Sequence, residues 1–240
     1  MISERIGTCA IMQPSFLPWA GYFNLIAHSE NFIFLTDAEF SKGSWHNRNQ
    51  VLIEGKKSWI TCPIEKASLH SAIDSIHLKS GNQWREKMTR TLTHSYAKAP
   101  FLNELTFILD IINNSADLSL VELNIRLIKD ISKKLSLDTK FSESRQLNIS
   151  LERSRKLEAL ILSKNCTKYL SPVGAKEYLL EDGVLPSPTI ELVFQEYTPK
   201  NYTQFKSQDF VSYLSIFDVI ANLGIHETGR YILESAEIGS

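Results

Sequence analysis

Gln13 and Asp37 are the first residues whose type and position suggest chemistry. Each follows a short apolar run, Cys9-Ala10-Ile11-Met12 and Phe32-Ile33-Phe34-Leu35, that reads as a buried strand. Open α/β sheets bind ligands in the crevice just beyond the carboxyl ends of such strands. A carboxylate at Asp37 can there hold a substrate amine, take a proton or bind a metal ion. The competing reading is that Asp37 caps a turn and Gln13 only ends a strand.

A run of recognition groups follows, Lys42-Gly43-Ser44-Trp45-His46-Asn47-Arg48-Asn49. Arg48 offers a planar fork for phosphate or carboxylate, and Lys42 adds a second cation. Trp45 presents a flat face to a sugar or base. Asn47 and Asn49 can read hydroxyls or amides, and His46 can act as a general base near neutral pH. Against this stands a polar hairpin arm with Arg48 in a structural salt bridge.

Two further segments carry polar groups in unexpected surroundings. Ser215, Asp218 and Asn222 interrupt an otherwise apolar helix at i, i+3 and i+7, which places them on one stripe. A carboxylate there is costly to bury unless paired. Arg48, Lys42 or a substrate amine are candidate partners, and a purely structural network is the alternative. The segment Tyr169-Leu170-Ser171-Pro172-Val173-Gly174-Ala175-Lys176-Glu177-Tyr178 joins a strand to a helix. Gly174 there lets the backbone approach a ligand, and amides at the helix start can face an anion.

The elements that position these residues follow from periodicity. Residues 17–28 carry Leu17, Gly21, Tyr22, Leu25 and Ile26, a helix packed on a sheet. Strand, helix, strand implies a right-handed parallel crossover. Continuous apolar strands imply a sheet covered on both faces. Val51-Leu52-Ile53 and Trp59-Ile60-Thr61 flank Glu54-Gly55-Lys56-Lys57, a hairpin signal.

Trp84, Met88, Leu92 and Tyr96 mark a helix that Pro100 breaks, and residues 101–112 carry a second stripe. Ser119 and Glu122 form a capping box before Leu123, Leu127 and Ile131. Another helix is expected from about 150 to 163, strands at 167–170 and around Ile190, Leu192 and Phe194, and a last helix from near Ser212 to Gly224. The fold class is α/β: a mainly parallel sheet flanked by helices. A single domain spans 1–240, with a helical subdomain at about 82–165.

Composition excludes several functions. With 26 basic and 27 acidic side chains the net charge is −1, too little for a duplex nucleic-acid binder. Three scattered cysteines argue against a disulfide framework and for reduced thiols. The first residues do not read as a signal peptide, and no stretch approaches the ~18 apolar residues of a membrane span. The expectation is a cytoplasmic protein without a tightly bound cofactor or metal. Histidine pairs for zinc, the two common glycine-rich nucleotide loops and a serine-hydrolase elbow are all missing.

Gln13-Pro14-Ser15-Phe16-Leu17-Pro18-Trp19-Ala20-Gly21-Tyr22-Phe23 resembles the opening signature of the WbqC-like family. Asp37, Phe40 and Trp45-His46-Asn47-Arg48-Asn49 resemble its second block. Thr61-Cys62-Pro63, Tyr169-Leu170-Ser171 with Gly174 and Tyr178, and Leu214-Ser215-Ile216-Phe217-Asp218 with Asn222 resemble later ones. Glu39 and Ala175 depart from the usual pattern. The resemblance implies surface-polysaccharide (O-antigen, lipopolysaccharide) biosynthesis. It implies transfer of an acyl or aminoacyl group from a thioester or carrier protein onto a nucleotide-linked amino sugar.

In that role Asp37, His46 and Asp218 are the catalytic candidates. Gln13, Tyr22, Lys42, Trp45, Asn47, Arg48, Asn49, Ser171, Gly174, Ser215 and Asn222 are the substrate-binding candidates. Two other readings compete. One is a nucleotidylyltransferase-like enzyme, because Phe16-Leu17-Pro18-Trp19-Ala20-Gly21-Tyr22 faintly resembles the F-x-P-x-H-x-G-H loop, although both histidines are missing. The other is a non-catalytic sugar-nucleotide binding protein.

Overall fold

The structure is a computed structural model that describes residues 7–68 and 70–234. Its centre is a five-stranded parallel sheet in the order β5-β2-β1-β6-β7. The strands are β1 (Thr8–Met12), β2 (Asn31–Phe34), β5 (Lys140–Glu143), β6 (Lys168–Pro172) and β7 (Glu191–Gln195). The register pairs Met12 with Phe34 and Cys9 with Tyr169. A separate antiparallel hairpin joins β3 (Arg48–Ile53) to β4 (Lys56–Thr61). Its turn places Glu54 at φ 51° and Gly55 at φ 75°. A Cβ on Gly55 would also meet the Lys206 carbonyl oxygen at 2.3 Å.

Side chains alternate between two cores, as the period of two requires. Ala10, Phe32, Phe34 and Leu170 face the larger one, with α1 (Ala20–Ala27), α4 (Leu120–Lys134) and α7 (Ile216–Glu234). Cys9, Ile11, Ile33 and Tyr169 face the smaller one, with α5 (Arg153–Ser163) and α6 (Lys176–Asp182). The larger core also takes the hairpin, α2 (Gln83–Ser95) and α3 (Thr106–Asn113).

In chain order the sheet strands run third, second, first, fourth, fifth, the order of a doubly wound sheet. The connection reverses direction between β1 and β6. The crevice where such folds bind ligands therefore opens beyond Met12 and Pro172.

The expected elements are present with shifted ends. The first helix starts at Ala20 rather than Leu17, because Leu17 takes φ 42° and Pro18 follows it. The Ser119–Glu122 capping box forms as expected. Residues 82–165 are not wholly helical: β5, with a single large apolar residue, extends the sheet edge beside β2. Short, charged edge strands of this kind carry little hydrophobic pattern. The last helix begins at Ile216 behind Ser215. Its geometry breaks at Gly224, where a Cβ would lie 2.9 Å from the Phe101 ring. A second helical stretch follows, its Ile225 amide donating to Glu104 at 2.6 Å.

Asp218 holds α7 to the rest of the molecule. It is wholly buried, and its carboxylate accepts from the hydroxyls of Tyr96 and Tyr202, both at 2.7 Å, and from the Gln204 amide at 3.0 Å. Tyr96 in turn accepts from the Leu52 amide at 2.9 Å, which ties in the hairpin. Burial raises the Asp218 pKa despite these donors. Replacing Asp218 with Ala strands two buried tyrosine hydroxyls, while Gln204 keeps its bond to the Val211 carbonyl. The variant is expected to lose roughly 3 kcal/mol or more of stability, measured by urea denaturation.

Candidate functional site

The loop after β1, residues 13–19, has neither sheet nor helix to satisfy its backbone, yet most of it is buried. Side chains from distant elements do this instead. Asn49 donates to the carbonyls of Phe16 (3.1 Å) and Leu17 (2.8 Å). Ser215 donates to Leu17 at 2.8 Å, and the Ile216 amide to Pro18 at 2.9 Å. Asn124 donates to Pro14 at 3.1 Å and to His46 at 2.7 Å. The Phe16 amide reaches the Trp45 carbonyl at 3.0 Å.

The loop delivers Trp19 to the start of α1. The indole lies over Gly21, where a Cβ would sit 2.4 Å from the ring. Tyr197 and Tyr213 pack on Trp19, each with centroids 5.1 Å away. Beside them opens a hollow of about 290 Å³ lined by Met12, Ser15, Pro18, Trp19, Tyr22, Trp45, Asn49 and Tyr213. Met12 ends β1, so the hollow sits at the carboxyl edge of the sheet. Trp45 is 47% exposed and packs on Trp59 at 5.0 Å. The Arg48 guanidinium lies 4.1 Å over the Trp59 ring. A larger groove of about 740 Å³ between α2 and α3 shares no residue with this hollow.

The candidate residues therefore separate into groups. Gln13, Tyr22, Trp45, His46, Asn49 and Ser215 all belong to the loop, its clamp or the hollow. Arg48 lies over Trp59, which packs on Trp45, and Lys42 is exposed; neither cation forms an ion pair with a described residue. Asp37 stands at the end of β2 in a different cluster: it accepts from Ser144 Oγ and from Lys156 Nζ, both at 2.6 Å. Ser171 is buried at the end of β6, and Gly174 is exposed with open space above its Cα. Asp218 and Asn222 are sealed in the core.

Several expected roles are corrected by this geometry. Asp218 pairs with neither Arg48 nor Lys42 but with two tyrosines and a glutamine, and it reaches no surface. Asn222 bonds the Phe205 amide and the Asp218 carbonyl. Asn47 donates to the Cys62 carbonyl at 2.9 Å, and Asn49 is spent on the loop. The Tyr22 hydroxyl is buried and donates to the Gln13 carbonyl at 3.1 Å.

His46 is 4% exposed and packs on Phe40. Its Nε2 pairs with Gln13 Oε1 at 2.9 Å, and its Nδ1 has no partner among the described residues. Burial lowers its pKa from 6.5 to about 4, so it is neutral at pH 7 and a weak base. Asp37 remains an anion: partial burial pushes its pKa up, but the bonds from Lys156 and Ser144 outweigh this and lower it.

Periodicity alone missed Tyr213, Ser15 and Asn124. Trp19 stood in the first block that resembles the family signature, and Gly21, two residues on, leaves the space its indole fills. Tyr213 carried none.

The chain is thus a doubly wound α/β protein with an aromatic-walled site at the carboxyl edge of its sheet. A family profile described as the WbqC-like protein family matches residues 13–229, and the chain belongs to that family. It is similar to the protein described as "Uncharacterized protein Rv1507c" of Mycobacterium tuberculosis (strain ATCC 25618 / H37Rv). The two are 28% identical over 219 residues, which is 90% of this chain and 93% of the relative. No solved structure matches. No described helix is long and apolar enough to cross a membrane.

The histidine gives a prediction with a definite sign. Its folded pKa is depressed, so between pH 6.5 and about 4 the unfolded chain binds more protons. The contribution is complete above pH 6.5 and falls away as the pH drops toward 4, by ~3 kcal/mol. His46→Gln should flatten that dependence, as urea unfolding at pH 7 and pH 4.5 would reveal.

Proposed function

We propose that the hollow beyond β1 is the substrate site of a transferase of surface-polysaccharide synthesis. Its acceptor is a nucleotide-linked amino sugar, and the transferred group is acyl or aminoacyl, delivered from a thioester or a carrier protein. The observation that carries this reading is the aromatic-walled hollow beyond the carboxyl end of β1, one of the two strands between which the sheet's connections reverse. Ligands bind there in folds of this order, and flat aromatic faces suit a sugar or a base. Arg48, stacked on Trp59 and without a carboxylate partner among the described residues, supplies a cation near Trp45 for phosphate oxygens, and the exposed Lys42 is a second cation for the same group. Asp37, at the end of the neighbouring strand β2 and outside the lining of the hollow, is held as an anion by Lys156 and supplies a carboxylate to orient an amine on a substrate that extends beyond the hollow.

A non-catalytic sugar-nucleotide binding protein is the second reading. It is favoured by the state of the titratable residues: Asp37 is ion-paired, His46 is neutral and weakly basic, and Asp218 is sealed. None of these three combines exposure with the raised basicity that a strong general base needs.

One experiment separates the two. The purified protein is incubated with amino-sugar nucleotides and acyl or aminoacyl thioesters, and products are read by mass spectrometry. The transferase reading expects an acylated sugar nucleotide, lost in Asp37→Asn and weakened about tenfold in Arg48→Gln. Binding without any product, in all donor and acceptor pairs, would leave the binding-protein reading. Unchanged turnover in Asp37→Asn would remove Asp37 from its role.

A further inference from the structure

The polar groups around the hollow are unevenly available. Asn49 gives its amide nitrogen to two carbonyls, and its oxygen accepts from the Gln50 amide. The Tyr22 hydroxyl is spent on Gln13. What remains without a hydrogen-bond partner among the described residues is Ser15 Oγ, the indole N–H groups of Trp19 and Trp45, and the Tyr213 hydroxyl. A sugar ring carries hydroxyls around its whole rim, and each one buried without a partner costs free energy. A nucleobase has two apolar faces and a short polar edge. Aromatic walls with a few donors at their margins fit the base better than the sugar.

Tyr213 adds a second observation. Its ring is 50% exposed at the mouth of the hollow, and its backbone takes φ 60°, a conformation that costs a non-glycine residue. The long connection that carries it is pinned on both sides. The Gln204 side chain donates to the Val211 carbonyl at 2.9 Å and accepts from the Val211 amide at 2.7 Å, and the Ser215 amide donates to the Gln50 carbonyl at 2.8 Å. Residues 212–214 form a short arch between those pins. Leu214 points into the core, and Tyr213 points out beside Trp19.

We infer that the hollow takes the base end of a nucleotide, and that Tyr213 is the side chain that closes on it. This rests on the reading of the hollow as a sugar-nucleotide site and names which end of the substrate enters it. The sugar and its amine then lie outside, where a donor can reach them.

Tryptophan fluorescence titrations with uridine, cytidine, guanosine and thymidine diphosphates test it, with glucosamine 1-phosphate as the base-free control. At least one nucleoside diphosphate should bind tenfold or more tightly than the control. Tyr213→Ala should weaken that binding about tenfold, and Tyr213→Phe should change it little. A measurement on the unaltered protein accompanies these: nitration by tetranitromethane, read peptide by peptide. The bound nucleotide should protect Tyr213 and leave Tyr178, 42% exposed and outside the hollow, unprotected.

If no nucleoside diphosphate outbinds the control, the base assignment is overturned. The transferase reading still stands if acylated sugar nucleotide forms, and falls with it if none does. If a nucleotide binds but neither the alanine variant nor nitration responds, the hollow keeps its ligand and Tyr213 loses its role.

Discussion

The site depends on how the backbone carbonyls and amides of residues 13–19, most of them buried, find partners. That loop leaves the central strand, turns through a left-handed Leu17 and enters a helix, with two prolines that donate nothing. A buried backbone group without a partner costs more than most single contacts contribute. Asn49, Asn124 and Ser215 supply the missing bonds from a hairpin, a helix and the residue just before the last helix. The helical middle and the last helix are therefore needed at the carboxyl edge of the sheet, although neither is part of it.

The same demand explains which expectations about the site survived. Polar residues on loops suggest ligand contacts, and Asn47, Asn49 and Ser215 were read that way. Their donors are used to hold the protein's own chain. Type and spacing cannot distinguish an amide that reads a ligand from one that reads a neighbouring carbonyl. The difference lies in long-range pairing: Asn49 and Leu17 are 32 residues apart, and Ser215 and Leu17 are 198 apart.

The sheet was easier to read. Continuous apolar strands at 9–12 and 32–35 announced parallel pairing buried on both faces, and the capping box at Ser119 marked its helix. The strand at Lys140–Glu143 escaped because an edge position rewards polar residues as well as apolar ones. Asp218 sat on a recognisable stripe, but its partners Tyr96 and Tyr202 lie on separate elements that no local pattern connects. Its burial turns a suspected reactive group into a fastener between α7, α2 and the hairpin.

The position of β1 at the middle of the sheet has a consequence for how the chain assembles. One neighbour, β2, lies close by in sequence, and Cys9 pairs with Asn31. The other, β6, pairs Thr8 with Lys168, so the whole chain from position 8 to position 168 must be made before that flank can close. Until then one edge of an apolar strand stays open to other chains, and distant pairings of this kind form slowly. A nascent copy thus carries an unpaired apolar strand edge, and the hollow beside it takes shape only after Tyr213 has followed.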